Sequence, residues 1–162
     1  FLLPGSVLDV GAYFGDFLKE VLLKDPKREV YGTEINQQRK KVANKNLQGN
    51  IVRVDFRNGS LSTFEDRSLD NVVCTEVIEH VPNIKHAIKE LCRVAKKRVI
   101  ITVPFKEKIQ YHLCIYCQHY TPNNGHLHSF NYGSFDLVIP SNCKITEEFS
   151  FANKTICALR NS

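Results

Sequence analysis

The stretch Val7-Leu-Asp-Val-Gly-Ala-Tyr-Phe-Gly-Asp-Phe17 constrains this chain more than any other. A short apolar run enters two glycines and leaves through Phe17, Leu18, Val21 and Leu22, which recur at helical spacing. The order predicts a strand, a tight turn and a helix. Glycine serves such a turn where the backbone takes a positive φ or a ligand approaches to van der Waals distance, and the helix start presents free N–H groups. Asp9, Gly11 and Gly15 are therefore candidates for a cofactor turn, with Ala12 and Tyr13 between the glycines. A lone Gly-x-x-x-Gly also occurs in α/β proteins that bind nothing there, so the neighbouring strand ends decide.

The next apolar run, Val30-Tyr-Gly-Thr-Glu-Ile35, ends in Glu34, about twenty residues past the turn, where α/β nucleotide sites place a carboxylate on ribose hydroxyls. A third run, Ile51-Val-Arg-Val-Asp-Phe56, ends in Asp55, and a fourth, Asp70-Asn-Val-Val-Cys-Thr75, leads into Glu76-Val-Ile-Glu-His-Val-Pro82. Ligands of open parallel sheets bind outside the carboxyl ends of the strands, so these polar endings converge on one crevice.

The ordered series Val-Leu-Asp-Val-Gly11 with Gly15, Glu34, Asp55, Ser68 to Pro82 and Arg98-Val-Ile-Ile-Thr-Val-Pro104 resembles the class I S-adenosylmethionine-dependent methyltransferases, over nearly the whole chain. It is most similar to small members with Glu-His-Val after the fourth strand. The resemblance implies an enzyme whose cofactor is S-adenosyl-L-methionine. It puts Asp9, Gly11, Ala12, Tyr13 and Gly15 at the cofactor's amino-acid portion, Glu34 and Ile35 at the ribose, Asp55 and Phe56 beside adenine, and Thr75 at the fourth strand end. One departure stands out: the family usually writes its turn Asp-x-Gly-x-Gly-x-Gly, and this chain has Tyr13 at the middle glycine. Either the turn relaxes there or the ring shapes the pocket.

At 162 residues with 43% hydrophobic residues the chain suits one α/β domain over 1–162, Rossmann-like, with helices on both faces of a mostly parallel seven-stranded sheet and an antiparallel C-terminal hairpin. Strands are expected at 6–10, 29–34, 51–55, 70–75, 98–103, 143–150 and 154–160, and helices at 15–24, 36–47, 83–96 and, briefly, 133–139. The last helix-like stripe before the fifth strand, Ile84, Ala87, Ile88, Leu91, Val94 and Ala95, reads as core behind an Asn83 cap. Only Ala152-Asn153 separates the final strands, a link that only antiparallel neighbours can use.

No run of eighteen or more apolar residues and no signal-like start is present, so a cytoplasmic location without membrane association is the expectation. Similar enzymes carry a helical segment before the first strand that helps close the cofactor site, and a sequence reaching that strand at Val7 is expected to lack it. The net charge of +5 gathers at Arg39-Lys-Lys41 and Lys96-Lys-Arg98, read as a solvated helix face and a helix end. Without an aromatic-interleaved basic stripe, nucleic acid is not the expected partner. A small-molecule methyl acceptor is; the oligomeric state is left open.

Methyl transfer needs a general base only if the acceptor is protonated. Glu76, Glu79 and His80 lie near the fourth strand end, and His80 is the candidate catalytic residue, against a reading in which it merely lines the pocket. Of six cysteines, Cys74, Cys92, Cys143 and Cys157 read as buried apolar residues. Cys114-Ile-Tyr-Cys117 lies among His112, His119, His126 and His128 in the long segment Lys106–Phe130, expected to be a lid or substrate-recognition loop. Its thiols have the spacing for a structural zinc, though a zinc site needs four ligands and no metal residue is assigned. Tyr111, Tyr116 and Tyr120 are candidates for the acceptor pocket. Two other readings stay open. Glu76-x-x-Glu79-His80 resembles the start of the metal site of small-RNA 3′-end methyltransferases, which use two glutamates and two histidines, the later histidine being one of His119, His126 and His128. Tyr13 in the turn suggests a cofactor-binding module without catalysis.

Overall fold

The computed structural model describes residues 2–47, 51–52 and 55–161. Four short apolar runs become parallel strands: β1 (Val7–Val10), β2 (Val30–Thr33), β3 (Ile51–Val52) and β4 (Leu69–Thr75). Of the expected strand at 51–55, positions 53–54 lie outside the described residues. β1 is buried along its whole length, as a strand covered on both faces must be. With β5 (Ala95–Pro104), β8 (Cys143–Phe151) and β9 (Lys154–Asn161), they form a sheet ordered β3-β2-β1-β4-β5-β9-β8. Six strands have four residues or more and β3 has two. β1, β2, β3, β4 and β5 run parallel, while β9 pairs antiparallel with both β5 and β8. The β8–β9 link is the two-residue turn the sequence predicts: Ala152 and Asn153 both take positive φ, 50° and 61°, which matches the twist of a hairpin.

Helices α1 (Asp16–Lys24) and α2 (Gln37–Asn46) cover one face and α3 (Ile84–Val94) the other. Alternate residues of β4 and β5 divide between the two cores. Val73 and Ile100 pack with Leu18, Val21 and Ala43, whereas Val72, Cys74, Val99 and Ile101 pack with Ala87, Ile88, Leu91 and Cys92. α3 is capped as expected, Asn83 Oδ1 accepting from the His86 amide at 3.1 Å. Gly15 serves this packing: at φ 83° it precedes α1, and a Cβ there would stand 2.6 Å from Leu47 Cδ1.

Two boundaries differ from the sequence expectation. α3 ends at Val94 and β5 begins at once at Ala95, so Lys96–Arg98 belong to a strand rather than a helix end; Lys97 Nζ pairs with Asp70 Oδ1 at 2.8 Å. The helix expected at 133–139 is a succession of turns closed mainly at three-residue spacing, as in Asp136 N to Gly133 O at 3.2 Å, with Gly133 at φ 75°. Burial of Phe135, stacked on Phe130 at 5.7 Å, sets that path. Among the described residues no helix is long and apolar enough to cross a membrane.

Candidate active site

Strand order reverses between β1 and β4, and at such a point an open sheet leaves a crevice at the strands' carboxyl ends. A cavity of about 430 Å³ lies there, walled by the glycine turn (Gly11, Tyr13), the end of β2 (Thr33, Glu34, Ile35), Arg39 of α2, Phe56 and Arg57, and Glu76, Val77, His80 and Val81 after β4. Gly125, from the segment after β5, closes one side.

Glu34 organises the near wall. It is buried, and its carboxylate accepts from the Tyr13 amide at 2.9 Å and from the Asn36 amide at 2.8 Å, tying the turn to the end of β2. A carboxylate has about four lone-pair sites, so two remain for a diol. Tyr13 takes a left-handed conformation, at φ 52°; Arg39 stacks over its ring at 4.2 Å from the centroid. The left-handed backbone costs on the order of 1 kcal/mol for a non-glycine residue, and a cation–π contact offsets a similar amount. Gly11, at φ 82°, is required for a further reason: a Cβ would lie 2.5 Å from Val77 Cγ2 and fill the cavity wall.

Five of the sequence candidates stand back from the cavity. Ala12 is buried in the core with α1, and Gly15 meets α2. Thr75 lies in the sheet beside Thr102. Asp55 caps the short turn Phe56–Asn58 and pairs with Arg57 at 2.6 Å. Asp9 is buried beneath the turn, with Oδ1 lacking any hydrogen-bond partner; burial and then the Glu34 charge push its pKa up to about 7. Arg57, Val77, Val81 and Gly125 line the cavity without having been assigned to it from the sequence, and Arg39, expected on a solvated helix face, instead faces the cavity over the Tyr13 ring. Gly125 comes from a remote segment with no local signal, but Arg39, one turn into the helix after Glu34, was within reach of a spacing argument.

The far wall carries the titratable groups. The His80 ring donates from Nδ1 to the Gly125 carbonyl at 3.1 Å, since a carbonyl only accepts; in the neutral ring Nε2 carries the lone pair. His126 stands edge-on to His80 at 4.7 Å between centroids, its Nδ1 held by Glu107 Oε2 at 2.5 Å. Glu79 is fully buried with neither carboxylate oxygen paired; burial first, and Glu76 in addition, push its pKa up to about 7. Ligand atoms of Glu79, His80 and His126 lie within 4.8 Å of one another, the one such triple among the described residues. Glu76, the other carboxylate of the motif, is instead held by Thr102 Oγ1 and Lys154 Nζ, both at 2.9 Å.

The segment after β5 closes on itself where Lys106 N donates to Phe130 O, and its second limb seats on the 78–81 turn through Leu127 N to Glu79 O at 2.7 Å. Its first limb forms a separate hairpin, β6 (Tyr111–Leu113) with β7 (Tyr120–Pro122). Tyr111, Tyr116 and Tyr120 are exposed on that hairpin and do not line the cavity, which corrects their expected place in an acceptor pocket. Among the described residues Cys114 and Cys117 gather no third ligand. Cys74, Cys92, Cys143 and Cys157 are buried, as expected.

The family profile described as "Methyltransferase domain" matches residues 8–103. No curated protein matches the chain. Among solved structures, an S-adenosylmethionine-dependent methyltransferase from Mesorhizobium loti is similar at 12% identity and TM-score 0.74, covering 98% of this chain and 94% of the other. One from Aquifex aeolicus is similar at 15% identity and TM-score 0.69, with 98% and 82% covered. The glycopeptide N-methyltransferase MtfA, solved with S-adenosyl-L-methionine, superposes at 12% identity and TM-score 0.69, with 100% and 89% covered. Identities this low speak for the fold alone; the profile, which runs from β1 through nearly all of β5, places the chain in the methyltransferase-domain family, class I enzymes that use S-adenosylmethionine.

Proposed function

We propose that the protein methylates a small-molecule acceptor in the crevice at the carboxyl ends of β1, β2 and β4. The carrying observation is Glu34, buried beside the glycine turn with two lone-pair sites left over. In this reading Glu34 accepts both ribose hydroxyls, the turn from Gly11 to Gly15 with Asp9 beneath it faces the amino-acid portion, and Ile35 and Phe56 flank adenine. Ala12 and Gly15 act through the turn's shape, Thr75 through the strand end, and Asp55 by placing Phe56. A sulfonium supplies a methyl group with an excellent leaving group, so the chain's share is alignment and exclusion of water. Val77 and Val81 give the acceptor end an apolar wall, and His80 Nε2 is the proton acceptor for an acceptor hydroxyl or carboxyl.

Replacing Glu34 with alanine is expected to weaken cofactor binding by about 1.5–3 kcal/mol, the range for hydrogen bonds to a charged group. Calorimetry with adenosylhomocysteine and its 2′-deoxy analogue separates a ribose contact from a loosened turn. The wild type should discriminate between the two ligands and Glu34→Ala should not. Discrimination that survives the substitution rejects this placement.

The triple of Glu79, His80 and His126 favours a second reading, a metal-dependent methyltransferase of RNA 3′ ends. Two imidazoles and one carboxylate suit a divalent transition metal, the outer nitrogens are already anchored by Gly125 and Glu107, and a cation would satisfy the unpaired Glu79. Manganese at about a hundredfold its dissociation constant is expected to add roughly 2.7 kcal/mol of stability to the wild type and none to His126→Ala. Methylation of an RNA 3′ end that needs the metal selects this reading over the first; no thermal shift with manganese removes it.

A further inference from the structure

The β6–β7 hairpin stands apart from the catalytic crevice and has chemistry of its own. The register Tyr111↔Pro122, His112↔Thr121, Leu113↔Tyr120 puts Tyr111, Leu113, Tyr120 and Pro122 on one face and His112 with Thr121 on the other. The polar face is satisfied: His112 Nδ1 meets Asn123 Oδ1 at 2.6 Å and Nε2 meets Thr121 Oγ1 at 3.3 Å. The apolar face is exposed. At the tip, Ile115 and Tyr116 are 81% and 91% exposed, two large apolar side chains at adjacent positions left uncovered beside the apolar face.

Between the strands, Cys114 and Cys117 stand in one tight turn. The chain reverses through Gln118 at φ 58°, with Cys114 N donating to His119 O and Gln118 N to Cys114 O, both at 2.9 Å. The amides of Tyr116 and Cys117 point at the Cys114 sulfur, and the two thiols are within hydrogen-bond reach of each other. Amides turned toward a sulfur fix its orientation as a ligand. A tetrahedral zinc needs four ligands, and this hairpin supplies two: His112 is engaged on both ring nitrogens, and His119, its Nδ1 tied to the Cys117 carbonyl, does not bring a ring nitrogen within ligand reach of both sulfurs.

We propose that Cys114 and Cys117 form half of a four-thiolate zinc site completed by the same two cysteines of a second copy of this chain, the hairpins' apolar faces packing around the metal. A two-fold axis through the zinc makes the surface self-complementary, so each copy contributes the pair the other lacks. Four thiols coordinate one zinc ion and release up to four protons to solvent as thiolates form. The same packing covers Ile115 and Tyr116.

The test is zinc titration of the metal-free, reduced full chain, followed by calorimetry, elemental analysis and sedimentation, in parallel with Cys117→Ser. The wild type should take up half an equivalent of zinc per chain beyond what the variant binds, so that any metal at Glu79, His80 and His126 cancels, and its mass should double with zinc. Cobalt in place of zinc should show thiolate charge-transfer absorption of four-sulfur intensity. Ile115→Ser, which leaves both ligands in place, should lower dimer affinity at least tenfold while keeping the far-ultraviolet spectrum of the wild type. A full equivalent bound by a monomer, zinc uptake without a mass change, or equal uptake by wild type and Cys117→Ser each overturns the proposal.

Discussion

Replacing Asp9 with asparagine is expected to stabilise the protein by about 4 kcal/mol near pH 8 and to change little near pH 3. Asp9 is buried under the glycine turn, Oδ1 has no partner, and its pKa rises from 3.8 to about 7 through burial and the Glu34 charge. A carboxyl whose folded pKa is raised binds more protons folded than unfolded between these values, so folding stability falls as pH climbs from 3.8 to about 7 and levels off above. About three pKa units at roughly 1.4 kcal/mol each set the scale. Asparagine carries no charge to desolvate and removes that slope. Urea unfolding of both proteins across the range measures it; parallel curves would show that Asp9 is not paying the burial cost inferred here. Under the proposed cofactor placement the cost has a use. A ligand carrying a cationic amino group near Asp9 favours the carboxylate, so binding below pH 7 should release close to one proton, readable by calorimetry in buffers of different ionisation enthalpy. The substitution that stabilises the empty protein should then weaken cofactor binding.

The strand ends were legible in the sequence because a parallel strand buried on both faces is a short apolar run and its polar ending is conspicuous. Asp9, Gly11, Glu34 and His80 all stand at such endings, and Gly11, Glu34 and His80 meet in one crevice. The limits of legibility follow from the same physics. Tyr13 looked like a break in the turn, but a left-handed φ costs a non-glycine residue little when Arg39 stacks on its ring, a contact across 26 residues of sequence that no local pattern announces. Asp55 looked like a ligand because it ends a run; three residues of turn after it gave it a cap to fill and Arg57 to pair with. The turns at 133–139 carry helix-like apolar spacing, yet Phe135 is drawn onto Phe130 and Gly133 takes a conformation that ends a helix. His126 could not be chosen over His119 or His128 until the second limb of the loop was seen to lie on the 78–81 turn, which brings it to His80 and leaves His119 on the hairpin and His128 on the Val81 carbonyl.

Arg93 is invisible to motif reasoning, and Arg93→Ala is expected to cost about 3 kcal/mol. Its guanidinium donates from Nε and Nη2 to the two oxygens of Glu90 at 2.7 and 3.0 Å, and from Nη1 and Nη2 to the Phe64 and Leu61 carbonyls at 2.9 and 3.1 Å. Glu90 in turn accepts from the Leu61 amide at 2.9 Å. This clamp fastens the segment between Phe56 and β4 onto α3. Removing the arginine leaves Glu90, whose side chain is 13% exposed, with most of its charge uncompensated, and frees two carbonyls that water reaches poorly. Breaking a buried pair costs about 3–5 kcal/mol, and the partial exposure of this one favours the lower end. The Asp66 contact adds little, because that carboxylate is 76% exposed. Lysine keeps the charge but cannot fork to four oxygens, so Arg93→Lys should recover less than half of the loss. Phe56 and Arg57 precede the clamped segment and line the cavity, so cofactor affinity should fall along with stability in both variants, in the same order. Denaturant midpoints and a cofactor titration on the same preparations test the two halves together. A loss under about 1 kcal/mol would mean that solvent replaces the clamp. A stability loss at unchanged affinity would mean that Phe56 is held by its own burial against α3.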